Sequence, residues 1–143
     1  MPLFKSEKPF VLLNYTPSHG MLLVRGHAKN SLGKELNLDL TFYAVKEINI
    51  PTTFWGIEVD YLDKTVDKYT IFSLKCLRKD QCYSIVANHV EYCQNDLGPM
   101  CSTIWPSIQY PENEKWRESD NYIYRMIYHP TQDESERTSI IIP

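Results

Sequence analysis

Leu36, Leu38, Leu40, Phe42 and Ala44 alternate with Asn37, Asp39, Thr41 and Tyr43 along the stretch Glu35 to Val45. A period of two predicts a β-strand with one face in a core and the other toward water or a partner. Shorter runs repeat the theme. Phe10 to Tyr15 and Met21 to Gly26 are separated by Thr16, Pro17, Ser18, His19 and Gly20, whose proline and glycine predict a hairpin connection. Asn30, Ser31 and Gly33 predict a second turn before the alternating strand, so the first third of the chain reads as a three-stranded antiparallel meander.

Further along, Ile48 and Ile50 predict a brief strand ending at Pro51. Phe54 to Leu62 predicts a longer one with Trp55, Ile57, Val59 and Tyr61 on one face. Tyr69 to Leu74 is rich in β-branched and aromatic residues, and Lys64 to Lys68 is the polar connection leading to it. Cys82 to Cys93 is ambiguous, because Cys82, Ile85, Val86, His89, Val90 and Cys93 also fit a helical stripe. Its β-branched residues and tyrosines favour a strand, with Asn95, Asp96 and Gly98 turning the chain into another at Thr103 to Trp105. The helical alternative, near residues 80–94, would make the fold α+β.

Pro106, Pro111 and the charged run Glu112 to Asp120 predict a surface excursion over 106–120, pinned to the body by Trp116. Tyr122 to Tyr128 predicts a strand placing Tyr122, Tyr124, Met126 and Tyr128 on one side. A polar, flexible segment is expected over 131–139, and Ile140 to Ile142 could dock as an edge strand. Turn signals roughly every ten residues predict an all-β antiparallel sandwich or partly open barrel of about 8 to 10 strands.

Composition adjusts this picture modestly. The 143 residues suit one domain, the 43% of apolar residues can fill its core, and no internal repeat divides it. A net charge of −3, spread evenly over both halves, offers no basic stripe for phosphates, so no nucleic-acid partner is expected. No apolar stretch nears the roughly 18 residues that span a bilayer, and the N-terminus lacks a signal-peptide core. The reading expects a cytoplasmic protein with no membrane partner. Cys76, Cys82, Cys93 and Cys101 lack CxxC spacing and are expected as small buried or half-buried thiols rather than zinc ligands.

Candidate chemistry is sparse. Ser18 and His19 pair a nucleophile type with a base, but without a GxSxG frame the residues read as a turn. Arg25 and His27 share a strand face and could contact an anion; an exposed polar face explains them equally. Glu58 and Asp60 share a face, yet paired catalytic carboxylates come from different elements across a cleft. His89 and Glu91 also share a face, and a metal would need a further ligand, so no metal is expected. With only 5 glycines, neither common nucleotide-binding loop can be drawn, and no cofactor is expected.

What stands out is the 3 tryptophans and 10 tyrosines, residue types that anchor interfaces and apolar pockets as well as sheets. The candidate interaction or ligand face is therefore Tyr122, Tyr124, Tyr128, Trp55 and Trp105, with His19, Arg25 and His27 as weaker polar candidates. Three functions fit. The first is a non-catalytic protein-interaction module, such as a small bacterial accessory, inhibitor or immunity-type protein, for which mild acidity suits a basic partner. The second is a β-barrel or sandwich holding an apolar small molecule, and the third a hydrolase using His19 or His89. Strand edges also leave room for a homodimer.

Overall fold

The computed structural model describes residues 1–101, 114–137 and 139–143. Among the described residues ten strands form one all-β sheet: β1 (Phe4–Thr16), β2 (Met21–Lys29), β3 (Glu35–Tyr43), β4 (Glu47–Asn49), β5 (Thr53–Lys64), β6 (Thr70–Cys76), β7 (Gln81–Ala87), β8 (His89–Asn95), β9 (Ile123–Tyr128) and β10 (Ile140–Ile142). Their order is β4-β7-β6-β5-β1-β2-β3-β8-β9, antiparallel throughout, with β10 added in parallel to the start of β1. The expected N-terminal meander is β1-β2-β3, and a second meander is β5-β6-β7. Among the described residues there is no α-helix, and no helix is long and apolar enough to cross a membrane.

The sheet stays open but rolls on itself. Phe42 of β3 meets Phe72 of β6 edge to face with centroids 5.5 Å apart, and Phe72 meets Tyr128 of β9 at 5.4 Å. Tyr128 also stacks on Tyr61 of β5, and Phe4 of β1 lies 5.5 Å from Tyr92 of β8. Strands far apart in the sheet order thus share one core, which explains why Leu38, Leu40, Phe42, Ile57, Val59, Phe72, Leu74 and Val90 are all buried. Aromatic pairs add about 0.5–1.5 kcal/mol each beyond their burial. Gly26 lies under the Phe10 ring, where a Cβ would sit 2.5 Å from ring carbon, so that crossing admits no side chain.

Several local expectations change. The stretch 82–93 is two strands, because the chain turns at Asn88, whose N–H donates to Tyr43 O at 2.9 Å. β7 then belongs to the β6 side and β8 pairs with β3. Trp55 does not share the face of Ile57. Gly56 adopts a φ of +84°, reserved in practice for glycine, so Phe54 and Ile57 point into the core while Trp55 turns outward. In β9 a bulge opposite Val90 and Glu91 separates Tyr128, which faces the core, from Tyr124 and Met126 on the outer face. The expected strand Thr103 to Trp105 and most of the 106–120 excursion lie outside the described residues, as does position 138 within 131–139. The described part of the excursion holds a 3-10 turn over Glu114–Glu118. Within 131–139, Glu134–Glu136 form another.

Candidate outer-face cleft

The outer face of β3 is polar in sequence and was expected to meet water or a partner. It is buried instead: Asn37, Asp39 and Thr41 are each less than a tenth exposed. Arg25 on β2 is opposite Asp39, and its Nε and Nη2 donate to Asp39 Oδ1 and Oδ2 at 2.6 and 2.8 Å. Asn95 Nδ2 donates to Asp39 Oδ2 at 3.1 Å, and Asn37 Nδ2 donates to Asn95 Oδ1 at 2.9 Å. The segment after β8 lies over this network: Pro99 O accepts from Arg25 Nη1 at 3.1 Å and Gly98 O from Asn37 Nδ2 at 2.9 Å. Both charges of the pair are fully buried, so their hydrogen bonds must replace hydration. Arg25 is thereby committed to Asp39 and does not form the exposed anion contact with His27 that their spacing allowed.

Beside this network the β3–β8–β9 register aligns Thr41 with Glu91 and Asp39 with Cys93, which is in turn opposite Tyr124. Residues 114–122 return over these strands, tied down by Asp96 Oδ2, which accepts from Ser119 Oγ at 3.3 Å and Asn121 Nδ2 at 3.1 Å. The result is a cleft of about 290 Å³ lined by Thr41, Tyr43, Glu91, Cys93, Trp116, Arg117, Tyr122 and Tyr124. Trp116 and Tyr122 meet edge to face at 5.0 Å and 81°, making a right-angled corner. The Trp116 indole Nε1–H is buried without a hydrogen-bond partner.

Glu91 organises the cleft. Its carboxylate lines the cleft together with Tyr43 and Tyr124. Burial, followed by the influence of the Glu91 carboxylate, raises both phenols well above their ordinary range. Burial likewise pushes the Cys93 thiol up to about 12, so it stays protonated and is a poor nucleophile. His89 stacks flat on Tyr43 at 4.6 Å and lies 5.1 Å from His129. Its Nδ1–H donates to Asn88 Oδ1 at 2.9 Å, leaving Nε2 toward Glu91 Oε1 at 3.8 Å. Burial holds the imidazole below its usual range, opposed by Glu91 and reinforced by His129.

The remaining sequence candidates are scattered. Tyr122 and Tyr124 share the cleft, whereas Tyr128 is wholly buried in the core, so the three do not form one face. Trp55 is 50% exposed on another part of the surface, where Arg78 covers its ring at 5.5 Å. Trp105 lies outside the described residues. Ser18 Oγ and His19 Nδ1 are in contact at 2.9 Å in the exposed β1–β2 turn. His27 borders a separate cavity of about 610 Å³ with Lys8, Ala28, Lys29, Glu35 and Pro99. Cys76 and Cys101 are buried, Cys93 half-buried, and Cys82, contrary to expectation, exposed. Among the described residues no three His, Cys, Asp or Glu side chains group as metal ligands.

Sequence reasoning noticed Glu91 only as a strand neighbour of His89 and missed Tyr43 and Trp116 as partners. The signal that joins them is the pairing of β3 with β8, Tyr43 opposite His89 and Thr41 opposite Glu91, residues 46 and 50 apart in sequence, which no local pattern carries. The chain matches no protein-family model, no curated protein and no solved structure.

Proposed function

We propose that the chain is a non-catalytic interaction module of the accessory, inhibitor or immunity kind, acting in the cytoplasm and receiving a protein partner over the outer face of β8 and β9. The observation that carries this reading is the gathering of Tyr122, Tyr124 and Trp116 around Glu91 in an open cleft, with Tyr124 41% exposed. Tyrosine and tryptophan rings bordering an open cleft around a polar anchor are the ingredients of an interface hot spot. A net charge of −3 suits a basic partner. The cleft is less suited to catalysis: its one thiol stays protonated and is a poor nucleophile. An apolar ligand between the two halves of the sheet is less well supported, since the rings of Phe42, Phe72 and Tyr128 already meet there.

A photo-crosslinking residue placed at Tyr124, and as a control at the exposed Leu62 of β5, tests the reading in source cells. A single heterologous protein adduct at position 124 and none at 62 is the expected result. Tyr124→Ala should then weaken capture of that protein without lowering thermal stability. Adducts equal at both positions, or an adduct of the chain with itself, would overturn the reading, the latter in favour of a homodimer interface.

A further inference from the structure

The chemistry of the outer cleft specifies more than a generic interface. Trp116 and Tyr122 form a perpendicular corner, and Tyr43 and Tyr124 flank the carboxylate of Glu91. Aromatic faces are electron-rich and attract cations, most strongly where water is excluded. Tyr43 and Tyr124 line the same cleft as Glu91, so their rings border the space in front of its carboxylate. The surroundings supply little competing positive charge from the sheet: burial holds down the proton affinity of His89, the nearest imidazole. The chain itself already lays a cation on this wall, since Arg117 Cζ lies 5.3 Å from the Trp116 ring centroid.

Resting on the reading that this face receives a protein partner, we propose that the cleft takes one alkylammonium group, the side chain of a lysine on a basic partner. Glu91 is its counter-ion and the rings of Tyr43, Trp116, Tyr122 and Tyr124 are its walls. A compact ammonium on a flexible apolar stem suits a corner of perpendicular rings, whereas a planar guanidinium is matched to the face of a single ring. The cleft of about 290 Å³ leaves space for the stem as well as the charged head. A neutral side chain would cover Glu91 without compensating its lost hydration, and an anion would face both the carboxylate and the ring faces. Arg117, at the rim, competes with the incoming cation.

The test is an NMR titration of the full chain, read at the Trp116 indole N–H, which is assigned from Trp116→Phe. The probes are Nα-acetyl-lysine N-methylamide, its Nε-trimethyl form, the norleucine counterpart and inorganic phosphate. Both ammonium probes should give saturable shifts that norleucine and phosphate do not. Glu91→Gln, which keeps the side chain's shape and removes its charge, should weaken the lysine probe by about tenfold with an unchanged melting temperature. Arg117→Ala should leave binding equal or tighter. Norleucine binding as well as lysine, phosphate shifts abolished by Arg117→Ala, or a Glu91→Gln variant of full affinity would each overturn the proposal. A partner crosslinked at position 124 but held equally by Glu91→Gln would sink the lysine assignment and leave the interaction reading standing. Glu91-dependent lysine binding with no partner adduct would do the reverse.

Discussion

The two faces of β3 are both buried, and they are buried by different means. Inward, Leu38, Leu40 and Phe42 join a core filled by the rings of Phe4, Phe72, Tyr92 and Tyr128. Outward, Asn37 and Asp39 lie beneath the segment that leaves β8, where Arg25, Asp39, Asn95 and Asn37 hydrogen-bond in sequence, and Thr41 lines the cleft beside them. The inner face is held by non-directional burial, which accepts any side chain of suitable volume and shape. The outer face is held by directional bonds in a dry environment, where each group depends on its neighbour. This difference has a consequence for the site. Because Pro99 and Gly98 carbonyls are gripped by Arg25 and Asn37, the polar layer fixes where the covering connection starts, and the cleft around Glu91 opens beside it.

The contrast is broken most severely at Asp39. Asp39→Asn removes one charge of a fully buried bidentate pair and leaves the Arg25 guanidinium without a counter-ion, at a cost of about 3–5 kcal/mol in urea unfolding. The combined change Arg25→Met with Asp39→Leu should recover most of that loss while releasing Pro99, seen as faster proteolysis near residues 96–101. A cost below about 1 kcal/mol for Asp39→Asn would mean the outer layer is hydrated and the two faces are not both dry.

The inner face should answer more mildly to an equally conservative change. Leu40 is fully buried between Val24 and Tyr92 in the strand register, and Leu40→Met should cost less than about 1.5 kcal/mol by the same measurement. A loss matching that of Asp39→Asn would erase the distinction between volume-limited and bond-limited burial.

The inner face was also the legible one. Alternation from Leu36 to Phe42 reports which side chains face a core, because strand geometry is local. It cannot report whether the opposite face is wet, since Arg25 and Asn95, which make Asp39 tolerable, stand 14 and 56 residues from it. The same limit hid the cleft, where Tyr43, Glu91 and Tyr124 are joined only by cross-strand register. Local readings failed where the backbone departs from ideal pleating. The bulge in β9 sends Tyr128 inward and Tyr124 outward, and the left-handed Gly56 turns Trp55 out. Cys82 to Cys93 read as one strand because the turn at Asn88 needs only one residue and carries no proline or glycine.

The smallest effect should come from the margin between the two environments, at His89. Its ring is half-buried, stacked on Tyr43 and close to His129, and its pKa lies below the usual histidine value chiefly through burial. In the unfolded chain it takes up a proton near pH ~6.5, before the folded protein does. The unfolded state therefore binds more protons in that interval, so stability is full above pH ~6.5 and falls as pH drops toward the lower folded value. His89→Phe keeps a flat ring on Tyr43 and removes the titration, and its stability between pH 7 and 5 should decline less steeply than that of the parent chain. Equal slopes would show that the imidazole is solvated like an exposed one and that Glu91 has a cation beside it as the pH falls. A shallower slope would show that the carboxylate has no protonated neighbour on β8 at neutral pH, the condition under which the cleft offers its negative charge to a partner.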